Sequence, residues 1–101
     1  ACLKAYRLYR KAAEYKNTVA MVFLGAVILT LDAISSKERE ADPDKKVKAI
    51  MWWVLANRIG LEHPSMDKDV KTFLEGAQKP GVIKKANVLA DQCMRKGLKG
   101  C

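Results

Sequence analysis

The sequence predicts an all-α fold, a compact bundle of about five helices with an apolar central helix, and three observations lead there. Half of the 101 residues are apolar and 30% are charged, which supplies enough hydrophobic material for one packed interior and argues against a disordered chain. Three prolines and six glycines are too few for a β-rich fold with many tight turns. Apolar residues recur at helical spacing, with no strand-like alternation, internal repeat or low-complexity tract. At this length the chain reads as a single helical domain over residues 1–101.

The first helix is expected from Cys2 to Lys16. At about 100° per residue, Leu8, Tyr15, Ala12, Ala5, Tyr9, Cys2, Ala13 and Tyr6 share one broad arc, opposite Lys4, Arg7, Arg10, Lys11 and Glu14. Asn17 and Thr18 offer an N-cap for a second helix that continues to Lys37. From Val19 to Leu29 that helix is uninterruptedly apolar or small, and its weak polar stripe is Thr18, Gly25, Asp32 and Ser36. A helix so apolar must be surrounded, so it is placed at the centre, wrapped by the other four. A membrane span needs about 20 apolar residues, and Asp32 interrupts this run too early. A basic leader followed by small residues at Ala33 and Ser35 outlines a secretory signal, but packing in the domain is the reading adopted.

Lys37 to Ala41 is a mixed-charge connector, after which Asp42 as N-cap and Pro43 at the first helical position start a third helix running to Leu61. Val47, Ile50, Met51, Val54 and Leu61 line one of its faces, while Trp52, Trp53, Leu55 and Ile59 make its second half apolar elsewhere too. Consecutive tryptophans diverge on a helix, so one belongs in the core and the other, Trp53, at an interface or pocket edge. Asp32 needs a partner if buried, and Arg58 on this helix is the candidate. His63, Pro64 and Ser65 introduce a fourth helix, with Ser65 as cap and Met66, Val70, Phe73 and Leu74 as its apolar positions. Beyond the Gly76–Gly81 break, the fifth helix spans Val82 to Leu98. Its inward arc is Val82, Ile83, Ala86, Leu89, Ala90, Cys93 and Met94, and its outward arc holds Lys84, Lys85, Arg95, Lys96 and Lys99, with Val88 exposed among them.

No catalytic chemistry emerges from this arrangement. There is no glycine-rich phosphate loop, nucleophile elbow or paired-carboxylate motif, and His63 has no acid, serine or cysteine patterned beside it. Cys2, Cys93 and Cys101 contain no C-x-x-C pair, and His63 is the sole histidine, so neither a metal centre nor a cofactor is expected. The cysteines read equally as free thiols or as one disulfide with a thiol left over, and the compartment stays open. A helix-turn-helix spanning Thr72, Gly76 and Val82 fits poorly, because Pro80 crowds the second helix and Lys85 stands where an apolar residue is wanted.

Charge is the remaining signal. The net charge is +8, with five bases and one acid in residues 1–20 and six bases and one acid in residues 79–101. Such a surplus suits contact with nucleic acid, an anionic membrane or an acidic protein. The expectation is a non-catalytic helical interaction protein engaging an anionic partner, most simply nucleic acid. Lys4, Arg7, Arg10 and Lys11 on the first helix, bordered by Tyr6 and Tyr15, and Lys84, Lys85, Arg95 and Lys96 on the fifth are the contact candidates. Were the two helices neighbours, their charges would merge into one surface. The alternative is a secreted, disulfide-containing toxin or effector acting on a membrane or protein receptor, with Cys2 bonded to Cys93 or Cys101. A third reading is a homo-oligomer formed through apolar surface around Trp52, Trp53 and the second helix.

Overall fold

The computed structural model describes residues 2–35, 43–76 and 79–101. They form five α-helices: α1 (Cys2–Glu14), α2 (Thr18–Ser35), α3 (Pro43–Ile59), α4 (Pro64–Glu75) and α5 (Pro80–Arg95). The all-α class stands, and the radius of gyration of 12.9 Å is that of a well-packed chain of about 100 residues. Asp42, expected as the α3 cap, lies outside the described residues.

Packing assigns the centre differently from hydropathy. Among the described elements α2 packs against α1 and α3, whereas α3 packs against α2, α4 and α5. The hub is therefore α3, which contributes Val47, Ala49, Ile50, Met51, Trp52, Val54, Leu55 and Ala56 to the core. The more apolar α2 buries Met21, Leu24 and Ile28, but turns Phe23, Ala26 and Thr30 outward. Uniform apolarity shows that a helix tolerates burial on every side; which side is covered depends on its neighbours.

Gly25 lets α2 and α3 approach. Its backbone lies against Ala49 and Trp53, and the Trp53 indole N–H donates to the Val22 carbonyl at 2.9 Å. Position 25, which marks a polar stripe in the sequence, thus serves as the small residue of a helix crossing. Trp52 is 1% exposed. Trp53 is half-buried and meets Phe73 of α4 edge-on at 4.5 Å, so it ties three helices together. Trp52 takes the expected core position, whereas Trp53 packs between helices of the bundle and lines neither of the depressions described below.

Helix ends explain several local choices. Asn17 caps α2 by accepting the Ala20 N–H at 3.0 Å. The α4 cap is His63 rather than Ser65: Pro64 occupies the first helical position, and His63 Nδ1 accepts the Met66 N–H at 3.1 Å. An imidazole nitrogen one residue before a helical proline reaches the same orphan donor that a serine oxygen would.

Two helices end in the paired bonds of a Schellman motif. At α1, Asn17 N–H donates to Ala12 O and Lys16 N–H to Ala13 O; at the end of α5, Leu98 N–H donates to Cys93 O and Gly97 N–H to Met94 O. Gly97 takes its left-handed position at φ +66°, but Lys16 must do the same at φ +65°. A side chain there costs on the order of 1 kcal/mol. Lys16→Gly is accordingly expected to raise stability by about 0.5–1 kcal/mol, measured as a higher denaturant midpoint with an unchanged m-value.

Candidate anion-binding site

The feature that gathers chemistry lies between α3 and α5. Their side chains and the C-terminal return enclose a groove of about 840 Å³. Val47 and Met51 of α3 and Val88 and Leu89 of α5 form its apolar floor, and Cys93 and Cys101 close one part of it. Lys48, Lys84, Lys85 and Lys96 stand around it, together with Asp44 as the carboxylate among its lining residues.

Each lysine is placed by helical spacing. On α3, Asp44, Lys48 and Met51 follow one another at four and three residues and so share a stripe with Val47 beside it. On α5, Lys84 and Lys85 lie between Gly81 and Val88, and Lys96 follows about three turns later. Val88 is 49% exposed, an apolar side chain left uncovered among cations.

A covalent bond and a polar link fix the elements on either side of the groove. Cys93 and Cys101 form a disulfide that draws the chain after α5 back onto the bundle, where Leu98 is 3% exposed. At the far end of α3, Arg58 Nη1 bonds Asp91 Oδ1 at 2.6 Å and Nη2 bonds Asn87 Oδ1 at 2.8 Å. Arg58 thus reaches across to α5, while Asp32, its expected partner, has its side chain outside the described residues. The geometry is favourable because guanidinium offers two donors in a fixed fork, which an amide and a carboxylate one turn apart can share. The disulfide corrects the expected pairing, since Cys93 and Cys101 bond each other rather than Cys2. They are eight residues apart, and the Schellman turn folds that short segment back within bonding reach.

The sequence candidates divide. Lys84, Lys85 and Lys96 line the groove, whereas Arg95 is exposed on α5 without lining it. On α1, Lys4, Arg7 and Lys11 are exposed. Arg10 is half-buried, and its guanidinium bonds the Tyr6 hydroxyl at 3.1 Å and sits over the Tyr6 ring. α1 packs on α2 and α5 packs on α3, so the two basic helices belong to separate layers of the bundle. Lys48 was missed: nothing in its own helix distinguishes it from Lys45 or Lys46 until α5 is placed beside it.

A second, shallower depression lies between α1 and α2, lined by Leu8, Tyr9, Ala12, Asn17, Val19, Ala20 and Phe23. Tyr9 and Phe23 stack there at 5.4 Å, while Leu8 and Tyr15, expected on the inward arc of α1, are 61% and 79% exposed. Among the described residues, no charged side chain lines it. Among the described residues, no helix is long and apolar enough to cross a membrane. α4 packs on α3 without comparable packing on α5, so α4 and α5 lack the mutual packing of a helix-turn-helix.

Fold and groove together define a small all-α protein with an apolar trough edged by lysines. No family model matches the chain, and neither a curated protein nor a solved structure does.

Proposed function

We propose that this is a non-catalytic binding protein that engages an anionic partner through the lysine-bearing face of α3 and α5. The observation that supports this reading is the clustering of Lys48, Lys84, Lys85 and Lys96 about one groove where, among the described residues, Asp44 is the one lining carboxylate. None of these four lysines is ion-paired among the described residues. Elsewhere Arg58 is matched by Asp91 and Lys71 by Asp67. Like charges gathered without partners repel one another, and an anionic ligand relieves that repulsion. Nucleic acid is the simplest polymeric partner, with Lys4, Arg7 and Lys11 of α1 supplying a further exposed basic face.

Titration of labelled DNA and RNA by fluorescence anisotropy tests this at two salt concentrations. If four lysines each neutralise a phosphate, affinity is expected to fall roughly a hundredfold between about 50 and 200 mM salt. Lys84→Glu with Lys85→Glu is expected to weaken binding at least about tenfold. Undiminished binding by the folded double variant would remove α5 from the interface. The Cys93–Cys101 disulfide favours a second reading, an effector that works in an oxidising compartment on a membrane or receptor.

A further inference from the structure

We infer that the α3–α5 groove binds a single-chain anionic amphiphile, a long-chain carboxylate, with its chain on the apolar floor and its headgroup among the lysines. This rests on the reading that the lysines engage an anion, and it names the anion's class. A phosphate backbone uses the cations but leaves the floor unexplained. Val47, Met51, Val88 and Leu89 give the groove an apolar lining, and among the described residues no aromatic side chain lines it on which a base could stack. An apolar channel with a few charged groups at its edge is the ordinary make-up of a small-ligand site, where apolar walls bind and polar groups orient.

Size agrees with this class. At on the order of 30 Å³ per heavy atom, the share a water takes in the liquid, a twelve-carbon carboxylate occupies roughly 400 Å³. The groove of about 840 Å³ holds such a chain with room for the water that hydrates the lysines. Charge complements it as well. Among the described lining residues Lys84, Lys85, Lys96 and Lys48 outnumber Asp44, a balance that favours an anionic headgroup over a neutral one. Selection between an anionic and a neutral amphiphile of equal length then falls to those lysines, while affinity grows with chain length through the floor.

Calorimetric titration of the intact protein with laurate below its micelle concentration, dodecanol and acetate separates the two contributions. Laurate is expected to bind saturably at one per chain, dodecanol at least tenfold more weakly, and acetate not measurably. Lys84→Gln, Lys85→Gln and Lys96→Gln combined are expected to bring laurate down to the dodecanol level. Val88→Asp, at a half-exposed position, is expected to abolish laurate binding with the helical circular dichroism unchanged. Absence of saturable laurate binding alongside intact, salt-sensitive nucleic-acid binding would overturn the amphiphile assignment and leave the anionic-partner reading standing. Equal affinity for laurate and dodecanol, unaffected by the lysine variants, would also overturn the amphiphile assignment, because the lysines would not be selecting the headgroup.

Discussion

Gly25→Val is expected to lower the unfolding free energy by about 3 kcal/mol or more. A Cβ at position 25 would lie 2.5 Å from Nε1 of Trp53 and 2.9 Å from the carbonyl oxygen of Ala49. The indole could swing away, but only by giving up its bond to Val22. Ala49 is 0% exposed and its carbonyl belongs to the α3 backbone, so relief there means moving one helix off the other. Separating α2 from α3 loosens Met21, Leu24 and Ile28 against the hub of the core. Even Gly25→Ala, which gains about 1 kcal/mol of helix propensity, is expected to be destabilising, because overpacking costs typically 1–3 kcal/mol and the indole bond is lost as well. Gly81→Ala is the control: nothing stands within 4 Å of its Cβ position, so it is expected to be neutral or slightly stabilising. Urea unfolding followed by tryptophan fluorescence reads both, and an unchanged midpoint for Gly25→Val would show that the crossing is not tight.

That crossing marks the boundary between what the residues disclose locally and what only assembly decides. The helices themselves were legible, because periodicity, Pro43, Pro64 and the break before α5 are properties of short stretches. The partner of each helix was not. An arc of apolar residues on α1 is wider than the contact one neighbour can make, so Ala13 is buried while Leu8 and Tyr15 remain in solvent. Met94 of α5 is 48% exposed for the same reason. The central position went to α3 rather than α2 because contact with α4 and α5 depends on where the loops return the chain, which hydropathy does not encode.

The candidate site shows the same division. Lys84, Lys85 and Lys96 were readable as the outward cations of an amphipathic helix, yet their outward face is also the wall of a groove. Seeing that requires α3 beside α5, which brings Lys48 and Met51 into the same space. It requires the C-terminal return as well, since Cys101 contributes to the lining. Charge was therefore visible in the sequence, whereas the apolar floor that narrows its meaning was not.

Removing the disulfide by Cys101→Ser is expected to cost about 2–3 kcal/mol on the chain-entropy estimate for so short a loop, and to lower Tm by roughly 10–20 °C. The loop it closes joins Cys93 to a cysteine eight residues on, and the intervening chain contains Gly97 and Leu98, both at positive φ. Gly97 adopts that conformation freely, but Leu98 at φ +68° is held there against its intrinsic preference. Burial of the Leu98 side chain and the bond to Cys101 oppose that preference together. Once the bond is gone, the segment after α5 can relax Leu98 out of the left-handed region and lift it from the core, taking Cys101 away from the groove. Stability and binding should then fall together: at a temperature where Cys101→Ser is still folded, affinity for the anionic partner is expected to drop, with Lys96, nearest the released segment, contributing less than in the parent protein. Thermal unfolding with and without reductant measures the first effect and titration measures the second. A parent protein whose Tm ignores reductant while the bond is demonstrably cleaved would mean that the Schellman turn and Leu98 hold the return without it.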